Sequence, residues 1–422
     1  MARKMKDSGI EWIGEIPKGW EVVPVKRLCT MQAGKNLTSE QIAPEGTYPV
    51  YGGNGIRGFF SDYNCDGQFL TVGRQGALCG NVHKINGKVW ATEHAVITTP
   101  SSYTILDFLY YLLIGMDLNQ YVSSTAAQPG LAVGTLLNLK TCYPCSTLEQ
   151  TQISNYLNAK CSEIDVMLTK TRSSIEEYKK LKQAVITRAV TKGVRGEQEM
   201  KDSGVEWIGE IPKTWIISNI GRFCFVTKLA GFEYTKEMDG HISPYGDVPI
   251  VRAQNIKMGR FIPNTREYIS LALSQKLSRC ALNEKCLIIT FIGTGIGEVA
   301  LFSDATRHHL APNVAKIVIN HDMKQFLDDR FLLYFLMSSA GQEEVNKIKK
   351  ATAQPSLSMQ TIRSIKLAFP STLQEQKEIA DFLDAKCAEI DKLIAKKEQL
   401  VKELESYKKS LIYEVVTGKR EV

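Results

Sequence analysis

The chain has 422 residues, a formal net charge of +7 and a hydrophobic content of 44%. This length suggests two to four domains, and this composition is that of an ordinary folded protein rather than a disordered one. The small net charge favours an anionic partner only weakly, and no apolar run reaches the roughly 18 residues that a membrane-spanning helix requires.

The ten cysteines are scattered along the chain. The first residues, MARKMKDSGIEW, lack the apolar core of a secretory signal. A cytoplasmic, reducing setting is therefore expected, with most thiols acting as small apolar groups in the core.

The chain contains two pairs of repeated segments. Residues 5–20 read MKDSGIEWIGEIPKGW, and residues 200–215 read MKDSGVEWIGEIPKTW. The second pair is NYLNAKCSEID at 155–165 and DFLDAKCAEID at 381–391. Because the ends of each copy are kept while the middles differ, the sequence predicts two variable modules on a duplicated frame.

Each middle combines short strand signals, Gly-rich turns and a helix. In the first, YPVYGGNGIRGFF (48–60) and FLTVGRQGALCGNVHKINGKVWAT (69–92) predict strands joined by turns, before a helix near 105–121. In the second, 247–262 predicts a hairpin, 286–302 predicts strand, turn and strand, and a helix is expected near 324–347. Each middle closes with AQPG (127–130) or AQPS (353–356). Both modules are therefore expected to be α+β.

The two modules are rich in residue types that suit the reading of DNA. Gly-rich turns let a backbone approach a phosphate, and Arg, Asn, Gln and Lys reach base edges. Candidates in the first module are Asn54, Arg57, Arg74, Gln75 and Lys84. Those in the second are Arg252, Gln254, Asn255, Lys257, Arg260 and Thr294, with Lys347, Lys349 and Lys350 for phosphates. Any single one of these residues is better explained as an ordinary surface residue, so the prediction of DNA binding rests on the clusters.

Two long helices follow Pro144 and Pro370 and are expected to end near Gly193 and Gly418. Apolar residues recur in both at alternating steps of three and four, which predicts a coiled-coil seam. In the first helix this predicted seam comprises Leu157, Cys161, Ile164, Leu168, Thr171, Ile175, Tyr178, Leu181, Val185 and Ala189. In the second it comprises Leu383, Cys387, Ile390, Ile394, Lys397, Val401, Leu404, Tyr407, Leu411 and Val415. One such helix alone is unstable, so we expect the two copies to pair, antiparallel because the chain must travel back between them.

The order of the segments predicts a closed arrangement. The first long helix ends near Thr191, and the second copy of the MKDSG segment follows at residue 200. The last helix ends near Thr417, and the matching copy stands at residue 5. We therefore expect the N-terminal segment to lie beside the C-terminal helix, in a pseudo-twofold, pseudo-cyclic fold with nearby termini.

Three features together resemble one known family. They are the duplicated KDSGxEWIGEIPKxW segment, the AQP loops, and a proline followed by Leu and Glu-Gln at the entry to each long helix (PCSTLEQTQIS and PSTLQEQKEIA). In these features nearly the whole chain resembles the specificity subunits of type I restriction–modification systems. YPVYGGNGIRGFF is similar to a common opening of a target-recognition domain in that family.

The resemblance implies a mechanism and a set of partners. Each target-recognition domain would read one half of a bipartite site in double-stranded DNA, and the antiparallel helical pair would set the spacing. That pair would dock two modification subunits, which carry S-adenosylmethionine and methylate adenine, and restriction subunits would cut unmodified DNA. The chain itself would be non-catalytic and would bind no cofactor. The expected domains are a first target-recognition domain (1–145), a spacer helix (146–195), a second target-recognition domain (196–371) and a second spacer helix (372–422).

An enzyme is the rival class. The sequence FIGTGIG at 291–297 has the glycine spacing of a methyltransferase cofactor loop, but such a loop opens into a helix, and here it runs into the strand signal EVALF. A hairpin turn that faces DNA is the better interpretation. Cys142 and Cys145 have the spacing of a redox or zinc motif, but no second Cys or His pair completes a zinc site. His308 and His309 are interpreted as a surface or DNA-facing pair.

Two further alternatives stay open on the sequence alone. A protein–protein scaffold would use the helical rod equally well, and the weak net charge slightly favours it. The chain would otherwise be the DNA-reading subunit of a related modification system that is not of type I.

Overall fold

The computed structural model describes residues 3–75, 79–122, 130–293, 295–349 and 356–422. The chain divides into two compact units: unit 1 comprises Met1–Arg172 with Glu398–Val422, and unit 2 comprises Ser173–Lys397. Each unit thus contains one part of each long helix. This division differs from the predicted boundaries, which gave each helix a segment of its own.

Unit 1 holds eleven strands and two short helices among its described residues. The strands are β1 (Met5–Asp7), β2 (Glu15–Pro17), β3 (Trp20–Pro24), β4 (Cys29–Ala33), β5 (Tyr48–Gly52), β6 (Gly55–Phe60), β7 (Gln68–Gly73), β8 (Val82–Asn86), β9 (Trp90–Ala91), β10 (Ala95–Pro100) and β11 (Lys140–Pro144). The helices are α1 (Leu106–Gly115) and α2 (Val133–Asn138), after which the long α3 (Thr147–Lys192) begins.

The sheets of unit 1 position its turns. An antiparallel sheet has the order β4-β10-β7-β8, and a second sheet has the order β6-β5-β9, in which β5 and β9 run parallel. Helix α1 buries Phe108 and Leu112 in the same core as Leu70 and Val96 of the first sheet. The hairpins predicted in 48–60 and 69–92 are therefore present as β5–β6 and β7–β8.

Unit 2 holds fourteen strands and five short helices among its described residues. The strands are β12 (Met200–Asp202), β13 (Glu210–Pro212), β14 (Ile216–Asn219), β15 (Cys224–Lys228), β16 (Val248–Val251), β17 (Ile256–Lys257), β18 (Arg260–Phe261), β19 (Tyr268–Ile269), β20 (Ala281–Leu282), β21 (Cys286–Thr290), β22 (Val299–Phe302), β23 (His308–Leu310), β24 (Val314–Ile319) and β25 (Lys366–Phe369). The helices are α4 (Gly231–Glu233), α5 (Leu271–Lys276), α6 (Asp329–Met337), α7 (Ser339–Lys349) and α8 (Met359–Ser364), followed by the long α9 (Leu373–Val416).

Unit 2 repeats the topology of unit 1. Its antiparallel sheet has the order β15-β24-β21-β22, and β16 runs parallel to β23 in a second sheet of order β19-β16-β23-β20. Strand by strand, β15, β24, β21 and β22 therefore match β4, β10, β7 and β8. Outside these sheets, β3 pairs with β11 and β14 pairs with β25 in the same antiparallel way. The α+β prediction is confirmed for both modules.

The duplicated segments and the two long helices, called the frame below, repeat their contacts at matched positions. The indole N–H of Trp20 donates to Glu149 Oε1 at 3.0 Å, and that of Trp215 donates to Glu375 Oε1 at 3.1 Å. The next residue, Gln150, accepts at 2.8 Å from the backbone N–H of Ile105, which caps α1. Gln376 accepts at 2.9 Å from the N–H of Asp328, the cap of α6. The repeated Glu-Gln pair thus fastens each long helix to its module.

The two long helices are antiparallel in each unit. In unit 1, Lys408 Nζ lies 2.7 Å from an Asp165 carboxylate oxygen, and Arg172 lies 2.5 Å from Glu405. In unit 2, Lys182 Nζ lies 2.7 Å from Asp391. The pairs Lys408–Asp165 and Lys182–Asp391 are the same contact with the two helices exchanged. The predicted antiparallel pair is confirmed.

Most residues of the predicted seam are buried. Those with at most 7% exposure include Leu157, Ile164, Leu168, Ile175, Leu383 and Ile390, and Ile394, Val401 and Leu404 are half-buried. The prediction is wrong at Leu181 and Tyr407, each 49% exposed. Beyond these two positions the predicted residues Ala189, Leu411 and Val415 are buried again, together with Ile186 and Ile412.

The closed arrangement is present in unit 1, where the N-terminal segment packs on the end of α9. The Tyr413 hydroxyl donates to the Trp12 carbonyl at 2.8 Å. Gly418 has φ +70°, and a Cβ there would lie 2.5 Å from the Pro17 ring, so the close approach requires glycine. Gly193 ends α3 in the same left-handed conformation, with φ +78°.

Three predicted elements are shorter or divided in the structure. The helix expected at 105–121 ends at Gly115, and a short 3₁₀ turn follows at Leu118–Tyr121. The helix expected at 324–347 is two helices, because Ser338 is extended and its hydroxyl accepts from Gly341 N–H at 3.1 Å, which caps α7. Within 247–262 only β17 and β18 form a hairpin, since β16 pairs with β19 and β23.

Candidate nucleic-acid interface

In unit 1, backbone hydrogen bonds bring several polar residues together where β7 ends. The N–H of Gly73 donates to the Asn81 carbonyl at 2.8 Å, and the N–H of Arg74 donates to the His94 carbonyl at 2.9 Å. Gln75 forms a bridge with Gly130. Asn81 and His94 therefore flank the end of β7 from the two neighbouring strands. We call residues 73–75, Asn81, His94 and the β5–β6 turn (residues 53–54) the rim of unit 1.

The end of β21 in unit 2 has the same backbone pattern. The N–H of Thr290 donates to the Glu298 carbonyl at 2.9 Å, and the N–H of Phe291 donates to the Asn313 carbonyl at 3.1 Å. Ile292 forms a bridge with Ser356. We call residues 290–292, Glu298, Asn313 and the β17–β18 hairpin the rim of unit 2.

Matched positions on the two rims hold different side chains. The hydrogen bonds pair Asn81 with Glu298 and His94 with Asn313. They likewise pair Arg74 with Phe291 and Gln75 with Ile292. One backbone thus presents two chemically different edges: the first is amide, imidazole and guanidinium, and the second is carboxylate, amide and apolar.

On the rim of unit 1, side chains from two hairpins join. Asn81 Nδ2 donates to Asn54 Oδ1 at 2.8 Å, which links the β7–β8 and β5–β6 turns. A Cβ at Gly53 would lie 2.8 Å from the Gln75 carbonyl, so the β5–β6 turn approaches the neighbouring backbone closely. Arg57 is exposed, and Arg74 is half-buried. The structure therefore brings three of the predicted residues, Asn54, Arg74 and Gln75, to one rim, whereas Arg57 lies in β6 and donates to the Ser39 hydroxyl at 3.5 Å.

Two histidines also lie at this rim. Burial lowers the pKa of His83, whose ring lies beside the β5–β6 turn, 3.4 Å from where a Cβ at Gly55 would be. His94 Nε2 lies 3.0 Å from a carboxylate oxygen of Glu93. Within the described part of the chain, His83 Nε2 and His94 Nδ1 are buried atoms without a hydrogen-bond partner. Such atoms are costly in a free protein and suit a ligand that satisfies them.

On the rim of unit 2, the Glu298 carboxylate curls over the Gly-rich turn. Gly295 has φ +91°, a conformation that favours glycine, and a Cβ there would lie 2.5 Å from Glu298 Oε2, so the carboxylate lies directly over this turn. Lys257 Nζ, from the β17–β18 hairpin, lies 3.5 Å from the same oxygen. Gln254, Lys257 and Arg260 are exposed.

Three further predicted residues have partners away from the rims. Lys84 Nζ lies 2.8 Å from Asp107 and 4.5 Å from the centre of the Tyr110 ring. Arg252 pairs with Glu267. Asn255 is 2% exposed, and its Nδ2 donates to the carbonyls of Ile262 and Asn264 at 3.0 and 2.9 Å. These side chains organise loops and helix contacts, so we do not carry them into the proposed interface.

The predicted phosphate contacts have varied outcomes. Lys347 is exposed at the end of α7, with its Nζ 4.2 Å from the centre of the Trp207 ring. The side chain of Lys349, together with Thr294 and Lys350, lies outside the described residues. Of the two AQP loops, the structure describes only the last residues, Gly130 and Ser356.

The two histidines of β23 correct a sequence interpretation. His308 and His309 are 3% and 0% exposed, so they are core residues rather than a surface or DNA-facing pair. His309 contacts the Leu310 and Leu277 carbonyls at 3.1 and 3.3 Å, and burial lowers its pKa. A neutral imidazole carries one N–H and can donate to only one of these two carbonyls, and its complete burial makes His309 a packing group.

The rival chemistries find no support in the geometry. After Gly295 the chain returns as β22, paired with β21, so the FIGTGIG segment is a hairpin turn. Cys142 is fully buried, and burial raises its pKa to about 12, whereas Cys145 is exposed. Over the described ranges no three His, Cys, Asp or Glu residues are placed to hold a metal ion. In the same ranges no helix is long and apolar enough to cross a membrane.

Sequence reasoning missed Asn81, His94, Glu298 and Asn313. Each lies at the boundary between a turn and a strand, where composition gives no distinction. The signal that identifies them is strand pairing, since both rims use the same backbone hydrogen bonds.

Comparison with known proteins agrees with the duplicated architecture. The family model described as "Type I restriction modification DNA specificity domain" matches residues 17–177 and 212–403. The specificity subunit of the type I restriction enzyme EcoprrI of Escherichia coli is 44% identical over 121 residues, which are 28% of this chain and 30% of that protein. The specificity subunit of the MjaVIII enzyme of Methanocaldococcus jannaschii is 23% identical over 96% of this chain and 93% of its own length.

A solved structure shows the same fold. It comes from work on complex assembly and conformational transition of the type I restriction–modification system. The TM-score is 0.70 at 12% sequence identity, over 96% of this chain and 99% of the other. At this identity the likeness supports the fold alone.

Proposed function

Because this chain belongs to the family of type I restriction–modification DNA specificity proteins, we propose that each of its units reads one half of a bipartite DNA site. The family model matches both copies, and the chain is a DNA sequence-specificity subunit. The two alternatives, a scaffold without a DNA role and a subunit of another kind of modification system, are not favoured.

The proposal that the two units read two different half-sites, called the two-reader proposal below, rests on one observation. The rims share their backbone hydrogen bonds but hold different side chains, so two identical half-sites would not suit both. Direct readout depends on the donors and acceptors that a side chain presents to a base edge. The recognised site is therefore asymmetric, with a different base pattern in each half.

The frame is the proposed surface for the other subunits. Its indole–carboxylate contact is present in both copies, as Trp20–Glu149 and Trp215–Glu375, so each long helix is seated on its module in the same way. Identical geometry suits two copies of one partner. We assign these positions to two modification subunits that carry S-adenosylmethionine and methylate adenine, with restriction subunits added for cleavage of unmodified DNA.

A map of methylated adenine in the host genome, with and without this gene, tests the proposal. Deletion should remove methylation at one bipartite motif, and complementation should restore it. As a control, deletion of an unrelated gene should leave every motif in place. An unchanged map, in a host that expresses the chain with its modification subunit, would contradict the proposal.

DNA binding of the purified complex gives a second readout. Contacts to phosphates release counterions, so affinity should fall steeply as salt rises from about 50 to 200 mM. Affinity that is independent of salt would indicate that the chain does not contact the DNA backbone.

A further inference from the structure

Comparison of the two rims identifies two matched residue positions that could contact DNA bases in each unit. Asn81 in unit 1 and Glu298 in unit 2 occupy the same structural position. Each follows a glycine, Gly80 or Gly297, whose N–H donates to the end of the preceding strand at 2.8 or 2.9 Å. The position before β10 or β24, which accepts from Arg74 or Phe291, holds His94 or Asn313.

Both positions carry polar groups with unused capacity. His94 Nδ1 in unit 1 and Asn313 Oδ1 in unit 2 are buried atoms without a partner in the part of the chain that the structure describes. Asn81 and Glu298 each meet one polar side chain from the segment after the matched strand β5 or β16, namely Asn54 at 2.8 Å and Lys257 at 3.5 Å. An unsatisfied polar atom that recurs at one position of two divergent modules indicates a shared use rather than a local packing accident.

We infer that these two matched positions determine specificity, with Asn81 and His94 reading bases of one half-site and Glu298 and Asn313 reading bases of the other. This inference rests on the proposed two-reader function. The chemistry differs between the units in a defined way. Asn81 offers both a donor and an acceptor, the pattern that recognises adenine, whereas the Glu298 carboxylate only accepts, as from the exocyclic amine of cytosine.

The glycines of the turn support this assignment. Gly295 has φ +91°, which favours glycine, and the Glu298 carboxylate lies directly over it with Lys257 Nζ 3.5 Å away, so this carboxylate is held at the turn. The Glu298 side chain is 25% exposed, and that of His94 is 36% exposed, so both are reachable from outside the protein. A fixed, partly exposed polar group loses little freedom on meeting a base, which is what specific readout requires.

The test compares Glu298→Gln and Asn81→Asp with matched controls at the other end of the same hairpins. Glu284 is exposed ahead of β21, and Asn86 is exposed at the end of β8, so Glu284→Gln and Asn86→Asp make the same chemical changes away from the rims. Each variant is assembled with the modification and restriction subunits, and the methylated motif is mapped.

We expect Glu298→Gln to lower base discrimination at one position of one half-site by about ten- to a hundredfold and to leave the other half-site unchanged. Asn81→Asp should act on the opposite half-site. Both controls should keep the wild-type motif. Wild-type fidelity in both rim variants would overturn the inference while leaving the two-reader function intact. Absence of any bipartite motif with the wild-type chain would overturn the proposed function itself.

A second pair of variants keeps the test decisive if the first fails to assemble. Glu298→Asp keeps the charge and withdraws the carboxylate by one methylene, and it should also change one half-site. The exchanges His94→Asn and Asn313→His carry each unit's residue to the other. Each should alter only its own half-site, and a change in both half-sites from one exchange would contradict the assignment.

Discussion

In the frame, Trp20 donates to Glu149 and Trp215 donates to Glu375, so both units make one contact with the same two residue types. At the rims the backbone contact is repeated, but the side chains are Asn81 in one unit and Glu298 in the other. Trp20 and Trp215 are each 1% exposed, so the repeated frame contact belongs to the core and seats the long helix in the same way in both units. At the rims the backbone is kept and the side chains differ. The comparison therefore shows that the frame keeps the side chains that packing requires, whereas the rims vary the groups that we propose to face DNA.

The largest expected effect breaks the frame. Ile164 and Ile390 are 5% and 6% exposed, and replacing both with Asp buries a charge in each unit. An unpaired buried charge is highly unfavourable, so the helix pairing and the assembly with modification subunits should be lost. Co-purification with the modification subunit measures this.

The matched control places the same charges on the outer face of the same helices. Ser162 and Ala388 are exposed, and the double variant Ser162→Asp with Ala388→Asp should assemble normally. Normal assembly of the Ile164→Asp, Ile390→Asp protein would show that the helices do not pair through these residues.

A smaller effect distinguishes the two copies of one frame contact. Trp215→Phe removes the indole partner of Glu375, whose side chain is only 8% exposed, and should lower the free energy of unfolding by about 1–3 kcal/mol. Trp20→Phe should cost less, because the Glu149 side chain is 28% exposed. Each carboxylate also has an arginine partner, Arg3 for Glu149 and Arg195 for Glu375, so the difference in exposure is what the comparison tests. Denaturant unfolding of the two variants measures the difference. Equal losses would show that the exposure of the carboxylate does not set the cost.

The smallest predicted effect concerns pH. His309 occupies the position of Trp90, since each pairs with the matched parallel strand, β16 or β5. Burial lowers the pKa of His309, so the unfolded chain binds its proton more readily than the folded one. The contribution of neutral His309 to stability is therefore complete above the ordinary histidine pKa of about 6.5 and falls as the pH drops below it.

His309→Gln should remove part of this acid sensitivity. The measurement is the thermal unfolding temperature at pH 5 and pH 7.5, for the wild type and the variant. The difference between the two pH values should be smaller in the variant. An unchanged difference would mean that His309 is protonated in the folded protein or does not govern its acid stability.

Much of the frame follows from the sequence. The repeats, the start of α3 after Pro144 and its end before Gly193, and most of the seam are visible in residue types and spacing. Periodicity alone does not distinguish Leu181 and Tyr407, which are exposed, from later seam positions such as Ala189 and Leu411, which are buried. The hairpins β7–β8 and β21–β22 were also predictable, since Gly-rich turns between apolar runs specify them locally.

The rims were only partly predictable. Asn54, Arg74 and Gln75 are brought to one edge, but Lys84, Arg252 and Asn255 find partners inside the protein. Whether an arginine or lysine is free depends on long-range pairing, which composition does not show. His308 and His309 illustrate the same point, because the parallel pairing of β16 with β23 places that strand in the core.

The most direct test of the two-reader account is an exchange of residues 25–140 for those of a relative with a different site, followed by a map of the methylated motif. The account predicts that one half-site changes to that of the relative and the other stays as it was. A change in both halves, or in neither, would contradict it.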